Sequence, residues 1–197
     1  MIHGKKIRLR PAEESDREKI FNWLAKSDVT RSMMGPPDFP EHPVPSWEEF
    51  CDDYSPRFFN KTGDGMGRVY IVIADDEEVG TAGYDLLDMA RNRVILDIWM
   101  AAEKYCCHGY GSDAIKALCE YIYGRYGITN FIISPSARNK RAVAAYHKSG
   151  FQIVSTLSRE EQDKEFGVSE YDDNLLMKKE IRRRAGPNRK RAVCKIN

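Results

Sequence analysis

The chain has 197 residues, 42% of them hydrophobic and 31% charged. That suits one globular domain with a sizeable core; the length is too short for two ordinary domains and the composition too apolar for a disordered chain. No apolar run reaches the roughly 18 residues of a membrane span, so no membrane partner is expected.

The N-terminus, Met1-Ile2-His3-Gly4-Lys5-Lys6-Ile7-Arg8, lacks the apolar stretch of a secretion signal. The five cysteines, Cys51, Cys106, Cys107, Cys119 and Cys194, are odd in number and form no C-x-x-C. Reduced thiols and a cytoplasmic location are expected. His3, His42, His108 and His147 have no metal-ligand spacing, and no metal is expected. The formal net charge of +1 is unevenly placed. Lys178 to Asn197 hold nine Lys or Arg and one Glu, which leaves −7 on the preceding 177 residues. An acidic body attracts cationic small molecules. The expected division is a domain over residues 1–180 and a basic tail over 181–197, with little apolar periodicity in the tail. Basic blocks also suit nucleic acid, but this one is short and no such partner is expected.

Lys6-Ile7-Arg8-Leu9-Arg10 alternates and predicts a first strand, ended by Pro11. Ser15 or Asp16 caps a helix with Ile20, Phe21, Trp23 and Leu24 on one face. Five prolines between residues 29 and 47, with Met33-Met34-Gly35, predict a long loop. Ser46 and Glu49 form a capping box for a short helix to about Tyr54. Val69–Ala74 and Val79–Tyr84 make a hairpin around Asp75-Asp76-Glu77-Glu78. Val94–Met100 is a fourth strand. A helix runs from Asp113 to Arg125, with Ala114, Ile115, Leu118 and Ile122 as its apolar stripe and Gly124 and Gly127 framing its end. Asn130–Ile133 is a fifth strand. Asn139 caps a helix with Ala142, Val143 and Tyr146 on one side, and Gly150 stops it. Phe151–Val154 and Asn174–Met177 read as closing strands, joined by the polar residues 158–173.

Chemistry concentrates after the fourth strand. That strand carries one carboxylate, Asp97, in an apolar setting where propensity and burial disfavour it. Tyr105-Cys106-Cys107-His108-Gly109-Tyr110-Gly111-Ser112 then makes a glycine turn into a helix. Free N–H groups at a helix start bind anions, and glycines let the ligand approach closely. Gly109-x-Gly111-x-x-Ala114 also fits a dinucleotide fingerprint. That motif needs an early βαβ unit and an acid about 20 residues on, and Phe131-Ile132-Ile133-Ser134 offers none.

These segments, with Ser134-Pro135-Ser136-Ala137-Arg138-Asn139-Lys140-Arg141-Ala142-Val143 through Phe151, resemble the GCN5-related N-acetyltransferases. The resemblance spans roughly residues 6–179 and includes the element order β-α-α-β-β-β-α-β-α-β-β. It implies an α+β, three-layer fold. The mixed, mostly antiparallel sheet would have about seven strands, flanked by about four helices and splayed between the fourth and fifth strands. It implies acetyl-CoA as cosubstrate. Its pyrophosphate would lie on Cys106, Cys107, His108, Gly109, Tyr110, Gly111 and Ser112. The backbone of Trp99, Met100 and Ala101 would pair with pantetheine. Asn139 would contact the cofactor and Tyr146 would stand near the thioester sulfur. Cys106 occupies the position where the family has Arg or Gln, so weaker cofactor affinity is expected.

Aminoglycoside 6'-N-acetyltransferases are the closer subgroup. They share Trp23-Leu24-Ala25-Lys26-Ser27, the Pro135–Phe151 motif, and an aspartate twelve residues before the first glycine, as Asp97 stands before Gly109. Ser134 replaces an aspartate that contacts the drug there. The implied roles are Asp97 as the base that frees the amine and Tyr146 as the acid for the leaving thiol. A free tyrosine pKa of about 10 against about 8.5 for a thiol makes that feasible. Cys106-Cys107 could form an acyl-enzyme, but the family transfers directly in a ternary complex. Met33, Met34 and Trp47 read equally as acceptor-site wall or as core.

The expected activity is acetyl transfer to a primary amine of a small cationic molecule, sharpened to an aminoglycoside, by a monomer or homodimer. The alternatives are a protein or peptide N-terminal acetyltransferase of ribosomal-protein type, and a non-catalytic acyl-CoA-binding module. A deep acidic pocket would favour the small cation; a flat open groove would favour the peptide.

Overall fold

A computed structural model describes residues 1–60, 66–154, 158–166 and 171–181. The basic tail, apart from Ile181, and Cys194 lie outside the described residues. The elements are β1 (Ile2–His3), β2 (Arg8–Pro11), α1 (Arg17–Ala25), α2 (Trp47–Asp53), β3 (Arg68–Ala74), β4 (Glu77–Asp88), β5 (Arg93–Met100), α3 (Tyr110–Tyr126), β6 (Asn130–Ile133), α4 (Lys140–Lys148), β7 (Gln152–Ile153), α5 (Arg159–Phe166) and β8 (Met177–Glu180). The strands form one eight-stranded sheet in the order β1-β2-β3-β4-β5-β6-β8-β7. Every neighbour pair is antiparallel except β5 with β6.

Alternation along the strands feeds two cores. Tyr70, Val72 and Ala74 of β3 and Val94 and Leu96 of β5 pack with Ile115, Leu118 and Ile122 of α3. Val69 and Ile71, with Trp99, pack on the other face with Ile20, Phe21 and Leu24 of α1 and Phe50 of α2. Asp97, two residues from Trp99, therefore belongs to the α1/α2 face. A nine-residue helix is unstable alone. Burying Ile20, Phe21 and Leu24 of α1 contributes about 1.5–3 kcal/mol for each side chain.

The start of α1 is fixed by charge. Asp16 is buried and accepts from Arg10 at 2.8 and 3.1 Å and from the Glu13 N–H at 2.9 Å, with Lys19 2.9 Å away. Glu78 on β4 also pairs with Arg10 (2.7 Å) and Lys19 (2.6 Å), which ties α1 to two strands. Burial opposes ionisation of Asp16, but these donors outweigh it and hold the carboxyl well below its usual range.

Most expected elements occur, with shifts that have local causes. The hairpin turn has two residues, Asp75 and Asp76, both left-handed (φ 47° and 63°), so β4 starts at Glu77. Two left-handed residues match strand twist, and Asp tolerates that conformation better than most. Helix α3 begins three residues earlier than expected, at Tyr110, because Gly109 is its N-cap; Gly124 lies inside it and Gly127 ends it with φ 72°. Strand β8 is Met177–Glu180, three residues beyond the expected Asn174–Met177. Asn174 forms an isolated bridge to Ser136, outside the ladder. β1 is an additional edge strand.

The splay is where the family resemblance implies it, between the strands Arg93–Met100 and Asn130–Ile133. These pair through Arg93–Asn130, Val94–Phe131 and Ile95–Ile132 and then part. β6 runs into Ser134-Pro135, and proline has no N–H to extend a ladder. β5 continues to Met100 with one edge open to the gap.

Candidate active site

Two clefts meet in that gap. The first, of about 580 Å³, is lined by Ile98, Trp99 and Met100 of β5, by Tyr105 to Ser112, and by Asn139, Arg141 and Tyr146 of the α4 region. Its floor is the N-terminus of α3. Gly109 has φ 85° and Cys107 φ 65°, so the chain doubles back there and presents the first-turn amides. The first intrahelical bond is Asp113 N–H to Gly109 C=O, 3.0 Å. Gly111 is helical, and a Cβ there would meet only Ile98 Cδ1 at 3.6 Å and Met100 Sδ at 3.8 Å. These are ordinary contacts, so the protein itself does not require glycine. A helical glycine costs about 0.5–1 kcal/mol against alanine, and the space kept open in front of the amides accounts for it. Lys6 Nζ donates to the His108 carbonyl at 3.1 Å, bringing a cation to a loop whose Cys106 supplies none. Arg141 is engaged with Glu103 (2.8 Å for one contact of two).

The second cleft, of about 780 Å³, lies on the α1/α2 side. Six carboxylates line it: Glu49, Asp52, Asp53, Asp85, Asp97 and Asp163. Among the described residues, no Lys or Arg does. Arg57 reaches only Asp85, at 3.5 Å. Burial lowers the His42 imidazole below its ordinary value, which keeps it neutral at pH 7. Met33, Ile98, Trp99, Asn139, Ala142 and Tyr146 belong to both clefts and form their junction.

Tyr146 stands at this junction, and Asp97 lines the acidic cleft beside it. The Tyr54 hydroxyl donates to Asp97 Oδ2 at 2.8 Å, and the Ile98 N–H donates to Oδ1 at 2.8 Å. Asp97 is exposed on the cleft wall. The protein atoms crowded around it raise its carboxyl above the ordinary value, against the lowering effect of the two donors. Water in the open cleft moderates the rise. Tyr146 is 7% exposed. Burial first, and then the Asp97 charge, push its phenol far above the usual tyrosine range. The Trp99 indole Nε1 is buried beside them without a hydrogen-bond partner among the described residues.

A family model described as an acetyltransferase (GNAT) domain matches residues 6–152. The chain belongs to the GNAT acetyltransferase family. It is accordingly an acyltransferase, and the amide-lined first cleft fits that family's donor, acetyl-CoA. An aminoglycoside N(6')-acetyltransferase type 1 from Klebsiella pneumoniae is 21% identical over 171 residues, covering 77% of each chain. AAC(6')-Ib, solved with paromomycin and acetyl-CoA, superposes with a TM-score of 0.66 at 18% identity, covering 89% of this chain and 94% of that one. The spermidine N-acetyltransferase of Vibrio cholerae, solved with CoA and spermine, gives 0.65 at 19% identity, covering 88% and 94%. At these identities the superpositions speak for the fold.

In this GNAT acetyltransferase the expected donor-side residues lie together, apart from Ala101, which continues β5 just beyond that cleft's lining. Asn139 is occupied internally: its Oδ1 accepts from the Ala142 N–H at 3.0 Å and its Nδ2 donates to the Ser32 carbonyl at 3.1 Å. It shapes the junction by capping α4. Met33 and Met34 line the acceptor cleft; Trp47 does not, and stacks on Phe50 5.8 Å away. Ser134 lines the cleft without adding a charge, and α2 supplies carboxylates from another wall. Sequence reasoning missed Tyr54, Tyr171 and the outward acids of α2. The spacing of Glu49, Asp52 and Asp53, three and four residues apart on one helix face, was the available signal.

Proposed function

We propose that the chain transfers the acetyl group of acetyl-CoA directly to a primary amine of a small polycation, in a ternary complex. The observation that carries this reading is the junction of an amide-floored cleft with one lined by six carboxylates and, among the described residues, no Lys or Arg. An aminoglycoside or a linear polyamine has the required charge. Walls rising from α2, the 35–45 loop and residues 171–174 favour a small molecule over a peptide laid in an open groove.

Acetyl-CoA supplies an activated thioester. The first-turn amides of α3 and the open edge of β5 hold and orient it. The cleft carboxylates draw in the ammonium form of the acceptor, and Asp97 takes its proton. A raised carboxyl pKa makes Asp97 a better base near neutral pH. Tyr146 stays protonated while Asp97 is charged. Once Asp97 holds the amine's proton, its charge no longer opposes ionisation of Tyr146, while burial, the larger cause, still does. The free amine attacks the thioester carbonyl, the C–N bond forms and the C–S bond breaks. Tyr146 gives its proton to the leaving sulfur, and the nitrogen's second proton returns to Tyr146 as the amide forms.

The test is CoA release in the presence of acetyl-CoA and a panel of amines: kanamycin, spermine, spermidine, and peptides with free N-termini. Turnover with a polyamine or aminoglycoside and none with peptides is expected. Turnover with peptides alone would overturn the acceptor assignment.

A further inference from the structure

We propose that Arg138 is a specificity-determining clamp: one guanidinium binds three separate segments into the far wall of the acceptor cleft and thereby decides which amines fit. The proposal rests on the acceptor reading above. Arg138 immediately precedes the α4 N-cap. Its Nε and Nη2 reach the two carboxylate oxygens of Asp173, each at 3.1 Å, and its backbone N–H reaches the same residue at 2.9 Å. Its Nη1 and Nη2 also donate to the Asp38 carbonyl and to Glu41. The guanidinium lies 4.5 Å over the Phe39 ring.

Around it the segments interlock. The Ser136 hydroxyl donates to Asp173 at 2.7 Å, the Ala137 N–H to the Asp173 carbonyl at 3.0 Å, and the Leu175 N–H to the Pro135 carbonyl at 2.8 Å. The Tyr171 ring packs on Phe39 (5.8 Å) and His42 (4.9 Å). Each segment then contributes to the cleft lining: His42 and Pro43, Pro135 and Ser136, Tyr171 and Asn174.

The clamp also sorts charge. Arg138 holds both Asp173 and Glu41 in ion pairs, offsetting one of their two charges, and neither acid lines the cleft, so this wall presents rings, an amide and a hydroxyl. The carboxylates facing the acceptor stand largely opposite, on α2 and β5. A bound amine is therefore oriented, with its ammonium groups towards α2 and its uncharged body against the Tyr171 wall. A rigid ring system depends on that wall more than a thin chain does. Lysine cannot replace the fork, because a point ammonium does not span two carboxylates and a carbonyl.

The test uses the full chain and Arg138→Met, with Arg138→Lys and Asp173→Asn alongside. Amide hydrogen exchange is read at Gly35, Phe39, His42 and Leu175, all hydrogen-bonded in the wall. Exchange about tenfold faster or more is expected at these positions together, with residues 107–112 unchanged. With kanamycin and spermine as probes, KM for kanamycin should rise at least about fivefold relative to that for spermine, while KM for acetyl-CoA stays within about twofold. Unchanged exchange in the wall, faster exchange throughout the domain, or a parallel rise in KM for acetyl-CoA would overturn the clamp. If the wild-type chain acetylates neither amine, the acceptor reading fails, and the exchange pattern alone decides whether Arg138 holds the wall.

Discussion

The donor and acceptor clefts of this acetyltransferase follow opposite plans. The donor cleft is made mostly from main chain: the open edge of β5, a turn with two left-handed residues, and the first amides of α3. Residues 98–100 and 105–112, close together in the chain, supply about half of its lining. The acceptor cleft is made from side chains on α2, the 35–45 loop, β5, the β6–α4 turn, α5 and residues 171–176. Amides recognise phosphates in any sequence that gives the right backbone path. Side-chain charge can be redrawn by single substitutions. A constant donor and a variable acceptor suit such a division.

Substitutions on the two sides should separate accordingly. Asp97→Asn should have the largest effect, lowering kcat at pH 7 by about 10²–10³, within the range of general base catalysis, with CoA affinity unchanged. Raising the pH should recover part of the loss, because more amine is then unprotonated. Wild-type turnover at every pH would remove Asp97 from the mechanism.

Tyr146→Phe comes next. It should lower kcat about 10–100-fold with little change in KM for acetyl-CoA, since the hydroxyl acts as charge leaves the thioester. A change confined to KM would instead make Tyr146 a binding residue. Gly109→Val tests the donor side alone. A β-branched residue at φ 85° is strained, and its side chain enters the turn. Titration calorimetry should show CoA binding weakened by about tenfold, since 1–2 kcal/mol of loop strain has that weight. Acceptor KM should hold.

Tyr54→Phe should be the mildest change. It removes the hydroxyl 2.8 Å from Asp97, which normally lowers that carboxyl's pKa. Without it the base remains protonated to higher pH. The acid limb of the kcat profile should move up by about one unit or less. Turnover should fall at pH 6 and recover at pH 9 (about the range where a tuned base matters). A flat profile would leave Tyr54 with packing alone.

How far each cleft could be read from sequence follows the same division. β5, the glycine turn and α3 follow one another closely, and each has a local signature: an apolar run, two closely spaced glycines, a helical stripe. Asp97 was conspicuous because an acid inside such a strand needs a reason. Tyr54 was not conspicuous at all. It ends a short helix 43 residues away from its partner, and nothing local marks that pairing. Arg138 and Asp173 lie 35 residues apart with α4, β7 and α5 between them. The closing strand was misplaced because Leu175-Leu176-Met177 is apolar enough for a strand. Leu176 is buried in irregular chain instead, with strand pairing starting at Met177.

The row of acids around the acceptor cleft also bears on how a catalytic cycle ends. Acetylation turns an ammonium group into a neutral amide. The proposed polycation would therefore leave the reaction with one charge fewer than it brought, while the carboxylates around it stay the same. The attraction that gathered the substrate is weaker for the product, by an amount set by the molecule's remaining charge. Diamines should escape readily and higher polyamines should linger, so release slows with each additional ammonium the molecule retains.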